Sequence, residues 1–118
     1  LVLTAAHCVF PFRDKLEHLK VWLGGVNLSR PKTYEIHDIY SVREHIKFNP
    51  WGPLGPYDIA LVYLNQTSSL EPIRLNNETA MEKVGNNLTL LGYGKYEKGG
   101  FPLHLRAVKI PLSPKGLC

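Results

Sequence analysis

The longest alternating stretch of the chain runs from Tyr34 to Phe48. Its even positions read Tyr34, Ile36, Asp38, Tyr40, Val42, Glu44, Ile46 and Phe48, while the odd positions between them are mostly Glu, His, Arg and Lys. A period of two predicts a β-strand. Six apolar residues in a row, Ile59 to Leu64, predict a second strand, buried on both faces and central in its sheet. Shorter strands are predicted at Lys20 to Leu23, before Gly24-Gly25, and at Leu88 to Leu91, before Gly92-Tyr93-Gly94. A last one spans Leu103 to Leu112, where the apolar phase shifts between Leu105 and Val108 as a β-bulge would cause.

Turn chemistry fills the gaps. Asn49 to Pro56 holds three prolines and two glycines in eight residues, which excludes helix there. Asn76 to Gly85 has room for one helical turn. Many short strands without long helices between them predict an all-β fold, an antiparallel barrel or sandwich. At 118 residues the chain is one small domain or part of one.

Composition narrows the function classes. Hydrophobic residues make up 44% and charged residues 20%, the balance of an ordinary globular chain. The net charge of +4 comes from 14 Lys and Arg that are scattered, so no basic run tracks a phosphate backbone and nucleic acid is not an expected partner. The longest apolar run, Ile59 to Leu64, is far short of the ~20 residues of a membrane span. The chain begins at Leu1 with no charged segment and apolar core ahead of the fold, so no signal peptide is visible and its start is read as removed by processing or truncation.

Four Asn-x-Ser/Thr sequons, at Asn27, Asn65, Asn77 and Asn87, change the picture again. With 7 Asn and 10 Ser plus Thr in the chain, chance gives roughly 0.6 such sites. The excess favours a secreted, glycosylated protein.

Two placements stand out chemically. His7 sits in Leu3-Thr4-Ala5-Ala6-His7-Cys8, an apolar setting in which a histidine is most often a satisfied core residue. Asp58 sits at the start of the most apolar strand, where a carboxylate is costly unless a donor holds it. A histidine is such a donor: a carboxylate on Nδ1 fixes the tautomer and leaves Nε2 free as a general base. Each placement explains the other.

Leu3 to Cys8, followed 51 positions after His7 by Asp58-Ile59-Ala60-Leu61, resembles the trypsin-like serine proteases. The likeness continues through Val21 to Ser29, Arg43 to Pro50, Leu70 to Leu75 and Leu90 to Gly100, in the family's order. It implies a double antiparallel β-barrel, incomplete here, with residues 1–75 as most of the first barrel and 76–118 as the linker and start of the second. It implies serine-type endopeptidase activity, with His7 as general base and Asp58 as its orienting partner, polypeptide substrates, protein protease inhibitors as further partners, and no cofactor.

The resemblance also marks what is missing. The family nucleophile lies in a Gly-Asp-Ser-Gly-Gly stretch, and none of Ser29, Ser41, Ser68, Ser69 and Ser113 has such neighbours, so all five are read as turn or surface serines. The chain is therefore expected to be an internal piece of a catalytic domain, silent by itself and prone to aggregate. By the same likeness Cys8 pairs upstream and Cys118 downstream, so the two are not expected to bond each other. The alternative is a catalytically inactive homologue that works as a binding protein.

Smaller departures follow. Tyr93 stands where the family usually has tryptophan, and the proline-rich loop before Asp58 is longer than usual. Gly25 to Glu35 offers too few carboxylates for calcium. His18, His37, His45 and His104 lack metal-ligand spacing, so no metal is expected. His45 matches the family's structural strand-end histidine, and His18, His37 and His104 read as surface residues.

Overall fold

Strand-forming residues dominate the chain, and the computed structural model, which describes residues 1–52, 55–97, 99–114 and 116, is correspondingly all-β. Strand β1 (Val2–Thr4) leads into the single-turn helix α1 (Ala6–Val9). Then come β2 (Lys20–Gly24), β3 (Tyr34–Glu44), β4 (Ala60–Leu64), β5 (Asn87–Gly92) and β6 (Arg106–Pro111). The four strands β1-β4-β3-β2 form one antiparallel sheet, and β5-β6 form a second. The helical turn at Thr79–Glu82 is 3₁₀ and falls inside the stretch that left room for one. Two compact units result, one of residues 1–24 and 34–70 and one of residues 25–33 and 71–118.

In the first unit β4 lies between β1 and β3, as its apolar run predicts. Its two faces differ, however. Ala60 and Val62 are buried and join Ala6 and Val9 as the core, whereas Leu61 and Tyr63 are half-buried. Val21, Ile39, Val42 and Leu64 pack around that core.

Strand β3 departs from its pattern in two ways. It ends at Glu44, so Ile46 and Phe48 lie beyond it, and Ile46 is 95% exposed. Its inward face also changes midway. Ile39 pairs with Leu64 and Ser41 with Tyr63, which leaves Tyr40 as an extra residue without a partner on β4. An extra residue reverses every later side chain. Before Tyr40 the odd residues His37 and Ile39 point inward, and after it the even residues Val42 and Glu44 do. Asp38, on the outer face, faces Lys20 directly across the ladder and pairs with it.

In the second unit β5 and β6 pair in continuous register, so the predicted bulge within residues 103–112 is not there. The phase shift marks a change of partner instead. Leu28 donates its N–H to the Leu103 carbonyl at 2.8 Å, Leu105 donates to the Val26 carbonyl at 2.8 Å, and His104 bridges Asn27. From Arg106 onward the chain pairs with β5.

His37, expected at the surface, is 6% exposed. A buried imidazole needs a partner, and Glu35, two residues back on the same face, supplies it at 3.0 Å from Nε2. Ser68 Oγ donates to Glu35 at 2.6 Å, the Ser69 N–H donates at 3.1 Å, and Ser69 Oγ donates as well. Ser68 and Ser69, read as turn or surface serines, are thus also tied to β3, while Ser68 Oγ accepts the Leu70 N–H at 3.0 Å in a local turn and Ser69 is exposed. These donors, Ser68 first, then Ser69 and His37, lower the Glu35 pKa from its ordinary 4.5 to about 2.

A carboxyl whose pKa falls on folding binds fewer protons in the native than in the unfolded state between the two values. Its contribution to stability is therefore full above pH 4.5 and lost as pH falls toward 2. Urea unfolding across that window should show stability dropping with acidification, and Glu35→Gln should flatten the drop. An unchanged pH slope in the variant would remove Glu35 from this role.

Candidate active site

The site begins with the ladder between β1 and β4. Thr4 lies opposite Ala60, so the chain leaving β1 and the chain entering β4 meet at the same end of the pair. Immediately after β1, Ala5 starts a tight turn, with the Cys8 N–H donating to its carbonyl at 3.2 Å. Ala6 and Val9, three apart on this single turn, face the core. Ala6 is completely enclosed, a position with room for only a small side chain. The same turn leaves His7 between them and on the outside.

Asp58 arrives from the other strand, two residues before β4 starts. Its Oδ1 accepts the His7 backbone N–H at 2.8 Å, and its Oδ2 lies 2.6 Å from His7 Nδ1. The side chain of Asp58 is 17% exposed and that of His7 50%. Both carboxylate oxygens are thus engaged by one residue, which fixes the orientation of the ring as well as its distance.

The His7 backbone N–H and then its ring hold the Asp58 pKa below its ordinary 3.8. An ionised carboxylate has no proton to give, so Nδ1 is the donor of the 2.6 Å contact. That assigns the Nδ1–H tautomer to the neutral ring and leaves the Nε2 lone pair available to accept a proton. Cys8 Sγ lies 3.4 Å from Nε2. Chemically, the arrangement is an oriented imidazole whose Nε2 can accept a proton.

The remaining residues singled out in the sequence are spread over the molecule. Cys8 is free and exposed, and Cys118 lies outside the described residues, so the absence of a bond between them stays an expectation. Asn65, Asn77 and Asn87 are exposed. Asn27 is half-buried, and its Oδ1 accepts from the Ser29 N–H at 3.0 Å and Oγ at 2.7 Å. Exposed His18 lies 3.7 Å from Glu17, and His104 is exposed. His45 stacks on Tyr57 with ring centroids 4.8 Å apart. Among the described residues no group of three His, Cys, Asp or Glu side chains is placed to hold a metal ion.

Sequence reasoning missed the His7 backbone N–H as a second donor to Asp58, because no residue type announces a backbone contact. It also missed the Glu35–His37 pair, for which the two-residue spacing on one strand was a usable signal.

Comparison with known proteins places this geometry in context. The Trypsin family model matches residues 1–118. Granzyme C of Mus musculus is 30% identical over an alignment of 123 positions, which takes in 99% of this chain and 46% of that protein. A solved structure of neuropsin, described as a serine protease expressed in the limbic system of mouse brain, superposes with a TM-score of 0.79 at 25% identity. The match covers 96% of this chain and 50% of that one. The chain therefore spans about half the length of these relatives.

Replacing Asp58 by Asn substitutes an amide, which can donate, for an obligate acceptor. Asp58→Asn should move the proton of neutral His7 from Nδ1 to Nε2, read by ¹⁵N shifts of histidine-labelled protein. Retention of the Nδ1–H tautomer in the variant would show that Asp58 does not set it.

Proposed function

The chain belongs to the trypsin family, and from that premise we propose that the protein is a secreted serine-type endopeptidase in which His7 is the general base and Asp58 its orienting carboxylate. The observation that carries the reading is the 2.6 Å contact between His7 Nδ1 and an Asp58 carboxylate already engaged by the His7 N–H. In this mechanism a serine hydroxyl attacks the peptide carbonyl while its proton passes to His7 Nε2. The imidazolium is stabilised by Asp58 and gives the proton to the leaving amine. Water, activated by the same nitrogen, then hydrolyses the acyl-enzyme.

The serine belongs to a part of the protein outside these 118 residues. Ser29 is committed to Asn27, and Ser68 and Ser69 to Glu35. The isolated chain is accordingly silent, since an oriented base without a nucleophile forms no acyl intermediate. In this reading residues 1–75 are most of a first barrel and 76–118 the start of a second. Polypeptides are the substrates, and protein protease inhibitors are further partners.

The full-length protein should react with a fluorophosphonate probe, and His7→Ala should slow labelling by about 100- to 10,000-fold, the range of a general base. A folded full-length protein that is not labelled would replace the enzyme by an inactive homologue that binds.

Secretion is tested separately. Asn65 lies in a bend and Asn77 in an irregular segment, both exposed, so a glycan there displaces no packed side chain. Enzymatic deglycosylation in ¹⁸O-water of protein from mammalian cells should mark both by mass spectrometry. Absence of the mark at all four sequons, Asn27 and Asn87 included, would remove the support for a secreted glycoprotein.

A further inference from the structure

Tyr57, the residue before Asp58, has φ of 66° and is the only non-glycine with positive φ among the described residues. Glycine or asparagine would occupy the left-handed region with less strain; a bulky aromatic residue rarely enters it. Such an outlier persists where the surroundings over-determine it.

Three contacts hold it here. The Tyr57 ring stacks on the His45 imidazole, with centroids 4.8 Å apart and planes 18° from parallel. The Lys47 ammonium lies 5.3 Å from the centroid of the same ring, within range of a cation–π attraction. The Tyr57 carbonyl accepts the Ile59 N–H at 2.8 Å, closing a tight turn centred on Asp58.

The stacking partner is itself fixed. The His45 N–H donates to the Ile59 carbonyl at 2.9 Å, and its Nδ1 accepts the Lys47 N–H at 3.1 Å. The corner that follows β3 is thereby locked to residues 57–59 through rings on one side and backbone on the other. Asp58 lies inside this loop of contacts, and its carboxylate leaves it toward α1. An extended Tyr57 would turn the peptide that precedes Asp58 and aim the carboxylate elsewhere.

We propose that Tyr57 is a positioning residue, whose ring, clamped by His45 and Lys47, holds the left-handed turn that directs Asp58 onto His7. The proposal rests on the His7–Asp58 reading above for its consequence in catalysis, but the geometry it predicts is measurable without catalysis. The groups facing the Asp58 carboxylate are the His7 ring and N–H and the Ala6 backbone. His45 and Lys47 lie on the Tyr57 side, and Cys8 lies against the far nitrogen of His7.

The test uses the full-length protein with two readouts, the Asp58 titration followed by carboxyl ¹³C NMR and the rate of fluorophosphonate labelling. Tyr57→Ala should raise the Asp58 midpoint toward 3.8 and slow labelling by about tenfold or more. His45→Ala should move both in the same direction, and Tyr57→Phe, which keeps the ring, should restore both. His45→Ala removes the stack while leaving Tyr57 in place, so it keeps the test open if Tyr57→Ala does not fold. A ring that serves stability alone would lower the melting temperature and leave the Asp58 midpoint in place, and that result overturns the proposal. If the midpoint moves while wild-type protein is not labelled, Tyr57 positions Asp58 and the protease reading alone fails.

Discussion

The antiparallel ladder between β1 and β4 is only three residue pairs long, Val2 with Val62, Leu3 with Leu61 and Thr4 with Ala60, yet the candidate site depends on it. His7 lies three residues beyond one end of the ladder and Asp58 two residues before the other strand joins it. A slip of one residue would carry Asp58 along the strand by about 3.3 Å and reverse the faces of Ala60 and Val62. The small core holds against such a slip. Ala60 and Val62 are buried with Ala6 and Val9 of the turn that carries His7, so the same contacts that choose the register also seat the helix. Core and site are consequences of one pairing.

Three carboxylates show how differently one functional group is used in this unit. Glu35 collects donors from His37, Ser68 and Ser69, and so joins β3 to the segment that follows β4. Asp58 takes both of its strong donors from His7 and so fixes a single side chain. Glu44, at the end of β3, has Oε1 buried with no hydrogen-bond partner among the described residues. It owes that position to the extra residue at Tyr40, which turns the second half of β3 so that Val42 joins the core and Glu44 turns inward with it. The bulge thus secures an apolar contact and leaves a polar atom unmet.

Much of this was legible in the chain. Period-two alternation located β3, the run Ile59 to Leu64 located β4 and its central place, and the mutual oddness of His7 and Asp58 pointed to their contact. What escaped depends on pairing between distant segments. Alternation in β3 does not reveal that the inward face switches at Tyr40, since the apolar even residues Ile36 and Tyr40 are exposed in the half where odd residues face in. The phase change near Leu105 reads as a bulge until the partner of each half is known. Nor does the order of residues disclose a positive φ at Tyr57, because nothing in a tyrosine favours it and the compensating groups, the His45 ring and the Lys47 ammonium, lie on the corner after β3.

The two partners of the pair differ in exposure, in the sense their proposed roles require. Asp58 is the more sheltered partner, as a carboxylate that orients by two hydrogen bonds must be if water is not to compete for its oxygens. His7 is half open, and its Nε2, the ring nitrogen not engaged by Asp58, has only the Cys8 thiol against it, at 3.4 Å. In the proposed role of general base, His7 needs access to the proton it would take. The half-exposed side chain is consistent with that access. Elsewhere in the unit, Leu3, Ile46 and Ile59 line a hollow with Glu44 and are exposed, while Glu44 Oε1 is buried with no hydrogen-bond partner among the described residues. Apolar surface next to an unmet acceptor is incomplete burial. Orientation of the His7 ring is therefore a local property of β1, α1 and the turn that carries Asp58.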